Sequence, residues 1–148
     1  MSARIAITAA VSVFALATAS LVARATDAPD FDYYKAKVQP IFVTKRPGHA
    51  RCVMCHADAN NALRLEKLPA GQETWTEEQT RKNYETVVKI VRASDDPLKS
   101  KLLLHPLAPE AGGDAFHNGG RQFATKNDPN WKTIAAWAKG ATLSEKKK

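Results

Sequence analysis

The sequence predicts an all-α domain of four to five helices with long loops, preceded by an export leader. Apolar residues recur at helical spacing near positions 31–42, 84–91 and 131–137. Each of these stretches opens with a capping residue or a cap followed by proline. No segment alternates in the manner of a half-buried strand, and no internal repeat is present.

The leader comes first. Arg4 supplies a positive start, residues 5–22 are apolar and rich in Ala and Val, and Ala23-Arg24-Ala25 is a small-x-small cleavage site. Residues 1–25 are therefore expected to be a signal peptide, and residues 26–148 the exported domain. The apolar run also approaches the length of a spanning helix, so an uncleaved membrane anchor is the alternative. In both readings the domain lies outside the cytoplasm, periplasmic or otherwise exported. In an oxidising space two thiols should be paired or otherwise committed.

Asp30 is a candidate N-cap for a first helix in which Phe31, Tyr34, Val38 and Ile41 or Phe42 share a face. Pro40, which lacks a backbone donor, is expected to bend or end it. Residues 45–51, with Pro47 and Gly48, read as a loop. Residues 57–74 carry few periodic signals. Thr76 and Gln79 then form a capping box for a helix with Tyr84, Val87, Val88 and Val91 on its apolar face. Asp96-Pro97 starts a short helix through Leu102, Leu103 and Leu104, which Pro106 stops. Residues 107–126 form a long segment containing Gly112, Gly113, Gly119 and Gly120; a loop of that length is usually functional or disordered. Asp128-Pro129 opens a closing helix with Trp131, Ile134, Ala135 and Trp137, ended by Gly140.

Between the first two helices stands Cys52-Val53-Met54-Cys55-His56, the C-x-x-C-H pattern of c-type haem attachment. Two thiols three residues apart lie on one side of a helical turn and can reach both vinyl groups of one porphyrin. The adjacent His56 then projects under the ring to ligate iron. A dithiol redox site would sit near a βαβ pattern, which is absent. A structural zinc site needs four ligands, and no second cysteine pair exists. A plain disulfide leaves His56 without a role. One covalent haem c, held by Cys52 and Cys55 with His56 as proximal ligand, is the expected cofactor.

The second axial position separates electron transfer from ligand chemistry. Met1 leaves with the leader and Met54 lies inside the attachment turn, so methionine is nearly excluded. His49, three residues before Cys52, is tethered to the proximal side and reads as a surface histidine. His105 closes a Leu-rich helix; it could swing over the haem, or simply interact with helix-end carbonyls and the dipole. His117 lies in Phe116-His117-Asn118-Gly119-Gly120, where glycines let backbone approach a flat cofactor closely. His117 is the expected distal ligand, with His105 as the alternative and an open site as the third case. A His/His haem has a lower reduction potential than a His/Met one and leaves no vacancy for a peroxide or gas. That pattern favours an electron carrier over an enzyme. Phe42, Leu63, Leu65, Leu103, Trp131 and Trp137 are candidate linings of the haem pocket, although ordinary core packing explains each equally well, as it does Phe116 and Phe123.

The order of elements resembles planctomycete-type, single-haem cytochrome c domains. The matching pieces are Val38-Gln39-Pro40-Ile41-Phe42, the cysteine motif, Leu63-Arg64-Leu65, Asp96-Pro97 with Ser100-Lys101-Leu102-Leu103, and Asp128-Pro129 with Trp137 and Gly140-Ala141. They span most of residues 31–142. The resemblance implies a class-I-like cytochrome c fold whose first and last helices pack together near the haem edge. Many members carry a distal methionine segment. This chain departs from that pattern and is similar to the subgroup with a His-x-Gly-Gly element, which maps onto His117, Gly119 and Gly120.

The chain carries 22 Lys and Arg against 15 Asp and Glu. Arg4 and Arg24 are the only charged residues before Thr26, so the domain itself keeps 20 against 15, an excess of five basic residues. Part of that excess is the lysine tail at 146–148. This is a solvated, slightly basic surface rather than a nucleic-acid site, and it suits transient contact with an acidic redox protein. A membrane would be met only through the leader or a larger complex.

Overall fold

The computed structural model describes residues 28–57 and 59–143; the expected leader and the lysine tail lie outside the described residues. Within them the protein is all-α. Isolated bridges join Arg46 to His49, Ala57 to Leu65 and Leu107 to Phe123, and no longer strand is formed among the described residues.

The first helix, α1, runs through residues 31–43. The Asp30 carboxylate caps it by accepting from the Tyr33 amide at 2.5 Å. Phe31–Tyr33 is α-helical, Tyr34–Val38 widens to a π-turn, and Gln39–Val43 returns to α geometry. Pro40 does not end the helix. A proline has no amide to donate and its ring crowds the carbonyl one turn back. Just upstream of it, the Gln39 amide donates to the Tyr34 carbonyl, one residue further back than in an α-helix.

The cysteine motif forms one short helix, α2 (Cys52–His56). Helix α3 (Glu77–Arg92) starts on the expected capping box of Thr76 and Gln79. Its buried face holds Val87, Val88 and Val91 and adds Ile90, while Tyr84 is half-buried. A 3₁₀ turn at Pro97–Lys99, capped by Asp96, leads into α4 (Lys101–Leu104). Helix α5 (Pro129–Ala138) is capped by Asp128, whose carboxylate accepts from the Asn130 and Trp131 amides.

The ends of the fold meet in the core. Tyr34 and Trp137 are fully buried with ring centroids 5.5 Å apart, and the Trp137 indole N–H donates to the Asp30 carbonyl at 2.8 Å. Trp131 donates from its indole to the Leu103 carbonyl at 3.2 Å, joining α5 to α4.

The long segment after Pro106 is pinned rather than loose. The Gln122 and Phe123 amides donate to the Pro106 carbonyl at 2.9 and 3.1 Å, and the Ala108 amide donates to Phe123 at 2.9 Å. The Gly113 amide donates to Ala108 and the Asp114 amide to Leu104, both at 3.0 Å. Arg46 reinforces this base: its guanidinium donates to the Gln122 carbonyl, pairs with Asp128 and lies 5.2 Å over the Phe123 ring. Among the described residues no helix is long and apolar enough to cross a membrane.

Candidate functional site

Helix α2 fixes three reactive side chains in a single turn. Val53, 3% exposed, anchors the turn in the core. Cys52 and Cys55 are free thiols, one half-buried and one exposed, set on one side by their three-residue spacing. Met54 is 64% exposed and forms no part of the cavity that the cysteines face. Downstream, the chain folds back: the Leu65 amide donates to the His56 carbonyl at 2.9 Å, which brings the Leu63 carbonyl within 2.9 Å of His56 Nδ1.

That cavity has a volume of about 400 Å³. Its apolar wall comes from Ile41 and Phe42 of α1, Ile90 of α3, Leu102 of α4, Ile134 of α5, and Leu63 and Phe123 from the loops. Cys52, Cys55, His56, His105 and His117 all face it. The charged side chains in its lining, Arg51 and Lys101, are both cationic.

The imidazoles of His56 and His117 have ring centroids 6.2 Å apart and planes only 18° from parallel. Each has its Nδ1 against a carbonyl, Leu63 at 2.9 Å for His56 and Gly120 at 2.6 Å for His117. A carbonyl oxygen only accepts, so Nδ1 is the donor in both rings, and in the neutral imidazole the lone pair then lies on Nε2. Such second contacts are how proteins hold metal-binding imidazoles in one tautomer and orientation. Gly120, at φ +76°, makes the tight turn that returns its carbonyl to the His117 ring. His105 lies edge-on to His117, centroids 4.9 Å apart at 78°, and its Nδ1 is 2.9 Å from Asp114 Oδ2. Its partner is thus a carboxylate across a loop, not the carbonyls of its own helix end.

Burial holds the His56 imidazole below its ordinary pKa; the Leu63 carbonyl opposes this, His117 adds to it, Asn61 opposes it, and His105 adds to it. Burial raises the Cys52 thiol, an effect opposed by hydrogen bonding at its own backbone and by the Arg46 charge, with Cys55 adding a little to the rise.

No family model, curated protein or solved structure matches this chain. Its chemistry is therefore read from the cavity itself. Among the described residues no three of His, Cys, Asp and Glu converge on a point where they could hold a bare metal ion. What the cavity offers is a facing imidazole pair with two thiols at one edge.

Cys52, Cys55, His56, His105 and His117 are brought together, while His49 sits in a turn outside the lining, its amide donating to the Arg46 carbonyl at 3.1 Å. Phe42, Leu63, Phe116 and Phe123 line the cavity; Leu65, Leu103, Trp131 and Trp137 are in the core but not in the lining. Ile90, Asn61 and Asp114 were not named from the sequence, and Lys101 was named only within the Ser100–Leu103 piece of the resemblance. Lys101 had a signal, its position four residues before His105 on the same face of α4. Asp114 had none, because eight residues separate it from His105.

Proposed function

We propose that this chain is an exported electron-transfer protein with a class-I-like cytochrome c fold, carrying one haem c through Cys52 and Cys55 with His56 and His117 as axial ligands. The observation that carries the reading is the 6.2 Å, near-parallel pairing of the two imidazoles. Nitrogen ligands bind first-row metals at about 2.0–2.1 Å, and a ring centre lies about 1.1 Å beyond its nitrogen, so two imidazoles facing across one metal have centroids about 6.3 Å apart. In both rings it is Nδ1 that meets a backbone carbonyl, which makes Nε2 the nitrogen for that role.

Three further features fit a haem. The thiols sit at one edge of the cavity, the walls are apolar, and Arg51 and Lys101 supply positive charge suited to the two propionates. When bound, haem c supplies a one-electron couple. The chain's own residues do the rest: Leu63 and Gly120 orient the ligating rings, Ile41, Phe42, Ile90, Leu102 and Ile134 keep water away, and the occupied Nδ1 atoms tune ligand strength. With both axial positions filled there is no vacancy for substrate, which favours a carrier over an enzyme. Electrons would pass to and from redox proteins through small, transient contacts.

The test is the purified exported protein. Intact mass should show one covalent haem and loss of the leader, and the optical spectrum should be low-spin, six-coordinate and unchanged by carbon monoxide. A chain without haem ends this reading. A high-spin spectrum that responds to carbon monoxide ends the carrier assignment and favours a haem enzyme or gas sensor.

A further inference from the structure

Besides His56, two imidazoles face the cavity side by side, and they are held differently. His105 follows α4 directly; its amide donates to the Lys101 carbonyl at 3.1 Å, and the Asp114 amide donates to the neighbouring Leu104 carbonyl at 3.0 Å. His105 is thus bolted to a helix end, with its ring turned by Asp114. His117 lies in the exposed stretch between two pinned points, the Gly113 and Asp114 amides on one side and the Gln122 and Phe123 amides on the other, and its ring is held by the Gly120 carbonyl. The two rings are 4.9 Å apart, both face the cavity, and both have Nδ1 engaged, which leaves Nε2 as the free ring nitrogen of each.

Resting on the haem reading above, we propose that His105 is a second distal ligand held in reserve, which takes the iron when His117 leaves it. In the exchange His117 Nε2 would release the iron of a bound haem and His105 Nε2 would take its place. No electron moves, and each imidazole keeps its Nδ1 proton. The two ligands are not equivalent. An imidazole whose Nδ1–H faces a carboxylate is a stronger donor than one facing a peptide carbonyl. A stronger donor favours the oxidised metal, so the His105-ligated form has the lower reduction potential. The domain then has two settings, chosen by the position of one glycine-flanked segment.

The test uses the haem-loaded protein and its His117→Ala, His105→Ala and double variants, read by optical spin state and redox titration. His117→Ala should stay six-coordinate and low-spin with a downward shift in potential. Adding Asp114→Asn to it should reverse most of that shift, and the double histidine variant should become high-spin. His105→Ala should keep the parent spectrum. A haem-loaded His117→Ala that is high-spin overturns the exchange while leaving the haem reading intact. A His117→Ala indistinguishable from the parent also overturns it, because His105 would then be the resting ligand. If His117→Ala does not accumulate, His117→Gln, which keeps polar bulk beside Gly120, gives the same two outcomes. Absence of haem from the parent would instead defeat the reading on which this rests.

Discussion

Replacing Gly113 with alanine should remove the foundation of the distal segment. A Cβ built there would lie 2.0 Å from the Leu107 carbonyl oxygen and 2.9 Å from that of Leu104. Neither can retreat: Leu107 is fully buried, and the next residue is hydrogen-bonded to both Phe123 and Gly113 itself. If the strand of contacts holds, the overlap costs the upper end of the range for overpacking, about 3 kcal/mol. If it yields, the amide bonds of Gly113 and Asp114 go, at about 0.5–1.5 kcal/mol each, together with the placement of Asp114 beside His105. The two routes together predict a loss of about 1–3 kcal/mol in urea unfolding. Gly119→Ala is the control, since its Cβ meets only the His117 ring, at 3.3 Å. It should cost less stability than Gly113→Ala. A Gly113→Ala protein within about 1 kcal/mol of the parent would refute the reasoning.

Other perturbations test separate parts of the structure. Burial drives the Tyr34 phenol far above its usual range, so the stability this group contributes is complete below its ordinary value of about 10 and is lost as pH rises beyond it. Tyr34→Phe should flatten that alkaline decline. Its hydroxyl has no hydrogen-bond partner among the described residues, so at pH 7 the change should cost under about 1 kcal/mol; a larger loss in denaturant titration contradicts this. Arg46→Met removes two charged hydrogen bonds at the base of the long segment and should cost about 2 kcal/mol by thermal unfolding. Cys52→Ala combined with Cys55→Ala should abolish any covalent haem increment in intact mass.

What the sequence made legible is what is decided within a few residues. The Thr76–Gln79 box, the Asp128-Pro129 start and the placing of Cys52 and Cys55 on one side of a turn each depend on local backbone geometry, and each appears where expected. Of the bend or end expected at Pro40, the end does not occur, because the helix widens into a π-turn just upstream and continues through it. Residues 107–126 read as irregular because their hydrogen bonds run between Pro106, Ala108 and residues 122–123, a closure with no period to detect. The same holds for the groups that aim the imidazoles. Leu63 and Gly120 act through carbonyls, which every residue has, and Asp114 reaches His105 only through the fold.

The π-turn in α1 makes that helix one residue longer than the distance it covers. In a regular helix each residue advances the face by about 100°, so Tyr34 would share its stripe with Ile41, seven positions on. With one residue absorbed in Tyr34–Val38, the stripe falls on Phe42 instead, which is 2% exposed against 8% for Ile41. The site of a tolerated length change is thereby marked: a homologue lacking one residue here, and lacking Pro40, could run as an unbroken α-helix with both ends unmoved. Any alignment that gives this helix uniform spacing would be out of step by one residue on one side of the turn, and would exchange the cavity-lining phenylalanine for its neighbour.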